Sequence, residues 1–210
     1  EYYCSTVADM VSAALKKCAD NASGIMARDP GAVRAVMEGM VLAGIAANYA
    51  GVSRPVSGME HYFSHIWDMR ALEFDANSDL HGIQCGVATL LALKVFDYVK
   101  TVVPNREKAL AYAKAFDYDA YRKELVSVLG KSADGMIANE AKEGKYDVDK
   151  HAARLEVILA KYDEIMEIIH NMPSYDSVYE TLRAAGFPLT PEEIGFTAKE
   201  VHDAFVMSKD

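Results

Sequence analysis

The sequence predicts an all-α fold, a multi-helix domain, on three observations. Apolar residues recur at spacings of three and four nearly end to end, the period of helices with one side turned to a core. Helix start and stop signals punctuate the chain at matching intervals. No run alternates β-branched and polar residues as a half-buried strand would.

The first stripe is Val7, Met10, Val11, Ala14, Leu15 and Cys18. The second is Val33, Val36, Met37, Met40, Val41, Gly44 and Ile45, with Asp29 expected as N-cap and Pro30 at the first helical position. Its small residues, Gly39, Ala43, Gly44, Ala46 and Ala47, predict close backbone approach by another element, read here as the one holding a site. A loop over 51–57 follows. Ser57 and Glu60 stand at capping-box spacing, and a helix is expected from about Gly58 to Arg70. A polar loop, Asp75 to Asp79, leads to a helix through Val87, Leu90, Leu91 and Val95, interrupted by Pro104 and Asn105. Further stripes are Tyr118, Tyr121, Leu125 and Val128, then Leu155 through Ile158, Leu159, Tyr162, Ile165, Met166 and Ile169. Gly186 and Pro188 stop one helix, Thr190 to Glu193 start a short one, and Thr197 with Glu200 cap the last. No linker or repeat divides the chain, so residues 1–210 read as one helical domain.

Of 210 residues, 51% are hydrophobic and 25% charged, an ordinary globular balance with enough chain for one sizeable core. The formal charge of -9 argues against a nucleic-acid partner or an anionic membrane surface. No apolar run reads as long enough to span a bilayer. Cys4, Cys18 and Cys85 form no zinc-ribbon or disulfide framework, which points to a reducing, cytoplasmic setting. The chain opens on Glu1 rather than Met, and reads as a fragment, a processed form or a trimmed piece.

Three of the six histidines, His61, His65 and His81, fall close together. His61 and His65 are four apart and share a helix face. His81 begins a helix and is followed by Gly82, so it can face a small site with no side chain in the way. Two readings stay open on spacing alone: a shared metal site, or histidines with no ligand role. Tyr62 after His61 excludes the zincin pattern. Glu60 is either a capping partner or an acceptor for a histidine N–H.

The run Ser53-Arg54-Pro55-Val56-Ser57-Gly58-Met59-Glu60-His61-Tyr62-Phe63-Ser64-His65, followed by Leu80-His81-Gly82-Ile83-Gln84-Cys85-Gly86, resembles the sn-glycerol-1-phosphate dehydrogenase family. Its broader relatives are glycerol dehydrogenase, iron-containing alcohol dehydrogenase and dehydroquinate synthase. The resemblance covers essentially the whole chain, and implies the helical C-terminal domain of the dehydroquinate synthase-like fold. It further implies that His61 and His81 bind a divalent metal, zinc or nickel, and that His65 serves proton transfer. Arg54 and Ser57 would bind a small phosphorylated polyol substrate. The third metal ligand, an Asp or Glu, would lie upstream of Glu1. No Gly-x-Gly-x-x-Gly turn occurs, so NAD or NADP would be bound by an N-terminal nucleotide-binding domain absent from this chain. The implied reaction is the interconversion of dihydroxyacetone phosphate and sn-glycerol 1-phosphate, by a homodimer, with the chain inactive alone. The alternatives are a glycerol or other alcohol dehydrogenase on the same fold, or a non-catalytic helical metal-binding module.

Overall fold

Helix starts fall where short polar side chains can take up the free N–H groups of a first turn. Asp29 accepts from the Ala32 N–H at 2.7 Å with Pro30 next in the chain, and Thr197 and Glu200 close a reciprocal capping box. Asn105, Asp117, Asp147 and Ser174 cap four more helices in the same way. In the computed structural model, which describes residues 3–208, the elements run α1 (Ser5–Ala19), α2 (Ala22–Met26), α3 (Pro30–Ala50), α4 (Met59–Phe74), α5 (His81–Val99), α6 (Arg106–Ala115), α7 (Tyr118–Leu129), α8 (Ser132–Glu143), α9 (Val148–Ala160), α10 (Tyr162–His170), α11 (Tyr175–Ala184) and α12 (Ala198–Met207). Short 3-10 turns occupy Arg54–Val56 and Glu192–Ile194. No strand occurs among the described residues, and the fold is all-α.

The main core gathers around α4. Phe63, Ile66 and Trp67 of α4 meet Val87 and Ala88 of α5, Leu125 and Leu129 of α7, and Ala204 and Met207 of α12. Trp67 stacks on Phe196 with ring centroids 4.3 Å apart, and its Nε1–H donates to the Glu200 carbonyl at 3.3 Å. Arg70, one turn further on, donates from Nη1 to the Val128 carbonyl at 2.8 Å and ties α4 to the end of α7. The helix that carries His61 and His65 is therefore anchored on its inner side along most of its length.

The α1–α3 pair departs from expectation. The close approach predicted from small residues is made by α1, not by the element holding the site. A Cβ at Gly39 would lie 3.0 Å from the Ala14 carbonyl oxygen, so only glycine fits at that crossing. Ala32, Gly39 and Ala46 form the buried side of α3, while Val33, Met37, Met40, Val41 and Ile45 are 43% to 60% exposed. The helix is apolar on two sides, and the side with small residues wins the packing because it lets α1 come closest. Both α3 and α5 are long and apolar enough by length and composition to cross a membrane, which corrects the expectation that no run reaches that length. Much of α5 packs into the main core.

The stripe from Leu155 to Ile169 belongs to two helices rather than one. Lys161, with φ -112° and ψ 15°, leaves the helical region and separates α9 from α10. Of the stripe only Leu155 and Ile169 are buried.

Candidate functional site

His81, the first residue of α5, packs beside the first half of α4, and the three histidine rings meet there. Ring centroids lie 5.2 Å apart for His61 and His81, 5.5 Å for His65 and His81, and 6.1 Å for His61 and His65. A Cβ at Gly82 would meet no atom within 4 Å, so the space beside His81 is open.

Carboxylates hold two of these rings from behind. Glu60 Oε1 lies 2.8 Å from His61 Nδ1, and Asp68 Oδ2 lies 3.2 Å from His81 Nδ1. An ionised carboxylate only accepts, so each Nδ1 donates to it, and in the neutral form of each ring Nε2 is the nitrogen that can hold an ion. Ser64 Oγ, fully buried, is a further neighbour of His81 Nδ1 at 2.8 Å. Asp68 is itself positioned, since the buried Gln84 donates from Nε2 to its other oxygen at 2.6 Å and to the Asp79 carbonyl at 3.1 Å. Gln84 of the His-Gly-x-Gln motif thus fixes the carboxylate that fixes His81. Outer partners of this kind set ring orientation and raise ligand basicity in metal sites.

Of the two tasks open to Glu60, the contact with the His61 ring is the one it makes. Oε1 accepts the Gly58 N–H at 2.8 Å and also accepts from His61 Nδ1. The N-cap of α4 is Gly58, not Ser57, so the expected Ser57–Glu60 box does not form.

One ring nitrogen of each of His61 and His81 and the sulfur of Cys85 all lie within 4.8 Å of one another. Cys85 Sγ is 3.6 Å from His81 Nε2. Neither Asp68 nor Cys85 was singled out in the sequence. The signals were their intervals: Cys85 follows His81 by four and Asp68 follows His61 by seven, both one-face spacings on a helix. The donor types, two imidazoles with a sulfur alongside, fit a divalent ion of zinc type.

His65 stands next to the pair and has no carboxylate of its own. Burial pushes its pKa below the ordinary histidine value, and the His81 and His61 rings push the same way. It also lines a surface cavity of about 350 Å³ with Tyr62, Ile66, Met69, Met136 and Asn139. Arg54 lies exposed in the 3-10 turn before α4, and Ser57 is half-buried at the end of that turn.

The chain is similar to several proteins named glycerol-1-phosphate dehydrogenase, NAD(P)+. It is 25% identical to the protein from Geobacillus stearothermophilus over 195 residues, 93% of this chain and 39% of that one. It is 31% identical to the Thermococcus sibiricus protein over 158 residues, 68% of this chain and 43% of that one. With the Halalkalibacterium halodurans protein it shares 36% identity over 91 residues, 43% of this chain and 23% of that one. No family model matches. By these matches the chain is a relative of the glycerol-1-phosphate dehydrogenases, of whose length it spans less than half.

Proposed function

We propose that these helices are the metal-carrying part of an NAD(P)-linked dehydrogenase that interconverts dihydroxyacetone phosphate and sn-glycerol 1-phosphate. The observation that carries the proposal is the meeting of His61, His65 and His81 rings at one place, in a chain whose relatives bear that enzyme name.

His61 and His81 would hold a divalent ion, zinc or nickel, through Nε2, with Glu60 and Asp68 keeping each ring in the required tautomer. When bound, such an ion supplies Lewis-acid stabilisation of negative charge on a substrate oxygen. His65 accepts the hydroxyl proton of sn-glycerol 1-phosphate as the hydride leaves for NAD(P)+, and returns a proton in the reverse direction. Arg54 would contact the substrate phosphate and Ser57 its hydroxyl groups, roles supported by the resemblance of the run around His61. The nicotinamide cofactor would rest on an N-terminal nucleotide-binding domain, because this chain has no glycine-rich phosphate-binding turn. The apolar side of α3 is surface for the rest of such a protein, or its homodimer partner, to cover. Three free cysteines support a cytoplasmic setting.

The test compares the 210-residue chain with a protein that also carries the additional length of its relatives. The longer protein is expected to oxidise NADH or NADPH with dihydroxyacetone phosphate, and to lose that activity on chelation. The chain alone is expected to give no cofactor turnover, because no donor is held in place for the hydride. Turnover with glycerol or dihydroxyacetone but not with the phosphorylated substrate would favour an alcohol dehydrogenase instead. Turnover by the short chain alone would overturn the division of labour.

A further inference from the structure

We propose that the cleft between α6 and the start of α9 is a second ligand site, one that takes a small anion with a flat apolar body, of the aromatic carboxylate class. The cavity there has a volume of about 260 Å³, room for a ligand of one ring. Tyr112 and Phe116 line it from α6, and Lys145 and Tyr146 from the turn before α9. His151 and Arg154 come from α9 itself. Three aromatic rings thus share the lining with three basic side chains, and none of these residues belongs to the histidine cluster. No carboxylate lines the cavity among the described residues, in a chain whose formal charge is -9. Aromatic rings supply apolar contact and basic groups supply charge-assisted hydrogen bonds, the few convergent polar groups that orient a ligand in an apolar pocket.

The acids nearby are engaged. Glu140, 3% exposed, accepts from the Tyr121 hydroxyl at 2.6 Å and from Lys145 Nζ at 3.5 Å. Asp147 caps α9, accepting the Asp149 and Lys150 N–H groups at 2.9 Å. Lys145 therefore shares its charge with Glu140, and the anion rests chiefly on α9. There Arg154 donates from Nη2 to the Gly144 carbonyl at 3.1 Å, which holds the guanidinium at the cavity and leaves further N–H groups for a carboxylate. His151 Nε2 is buried with no hydrogen-bond partner among the described residues, and a polar ligand in the cleft would satisfy it. The rings of Phe116 and Tyr146 lie parallel with centroids 4.8 Å apart, a preformed aromatic base that loses little freedom when a ligand packs on it.

Ligand-observed fluorine NMR with para-fluorobenzoate tests the site on the 210-residue chain. The probe is expected to bind saturably with a dissociation constant at or below about 1 mM, a modest efficiency for about ten heavy atoms. para-Fluorobenzyl alcohol, which lacks the charge, should bind at least about 10-fold more weakly. Arg154→Gln should weaken the benzoate by about 10-fold, the loss of one charge-assisted hydrogen bond. Ala113→Phe, which fills the cavity from α6, should abolish saturable binding. Unchanged circular dichroism in both variants separates these effects from misfolding. Binding of the alcohol, or of para-fluorobenzylamine, as tight as that of the benzoate would overturn the anion class. Displacement of the benzoate by equimolar inorganic phosphate would show that charge alone is read, and would overturn the aromatic part. No saturable binding by the wild-type chain up to about 10 mM, or benzoate binding that neither variant changes, would overturn the site.

Discussion

Replacing His61 or His81 with alanine is expected to remove the bound divalent ion, weakening affinity by more than about 100-fold, beyond the 10–100-fold effect of losing an outer partner. Each ring has Nε2 left for the ion, because Nδ1 is engaged by Glu60 in one and by Asp68 in the other. Removing one ring leaves the remaining donors too few for a site that ordinarily uses three or four protein ligands. His65→Ala should behave differently. Its ring abuts the pair, with no carboxylate set behind it, so the ion should remain while turnover in the complete protein falls by about 10²–10⁴-fold, the span of a lost acid–base group. Metal content after dialysis, read beside turnover for the three variants, separates the roles. Loss of metal in His65→Ala with retention in His61→Ala would reverse the assignment within the pair.

The second large effect is structural. Trp67→Ala should destabilise the chain by about 3–5 kcal/mol, the usual range for emptying a buried aromatic site. Trp67 is 1% exposed, stacks on Phe196 and bonds the Glu200 carbonyl, so truncation opens a cavity between α4, the Glu192–Ile194 turn and α12. For a chain of this size that corresponds to a fall in melting temperature on the order of 10 °C. Thermal unfolding followed by circular dichroism checks it. A shift within 2 °C of wild type, taking about 2–4 °C per kcal/mol, would mean that this core collapses around the gap or matters little. Because Trp67 adjoins Asp68 in sequence, the same variant is expected to loosen the support behind His81.

Much of this arrangement was legible in the residues. Caps are local, and Asp29, Thr197 and Glu200 act where their spacing placed them. The interval between His61 and His65 fixed their shared face, and His-Gly at a helix start left open space beside His81. Other features depend on tertiary partners and were not legible. Period alone could not say which side of α3 is buried, since Val33, Met37 and Met40 are more apolar than the glycine and alanines that α1 selects. Nor could it find the break at Lys161, where apolar spacing continues across a residue that leaves the helix. Asp68 meets His81 only when α5 lies against α4, a packing that no interval within one helix encodes. Ser57 loses the N-cap to Gly58 because the preceding 3-10 turn takes Ser57 as its own terminus.

The most direct measurement is a crystal structure of the zinc-loaded chain, with anomalous scattering recorded on both sides of the zinc absorption edge. The expected result is one strong peak about 2.0–2.1 Å from Nε2 of both His61 and His81, with Nδ1 of each ring still against Glu60 and Asp68. A peak lodged elsewhere, or rings of His61 and His81 that share no ion in zinc-saturated crystals, would contradict the metal site and the function built on it.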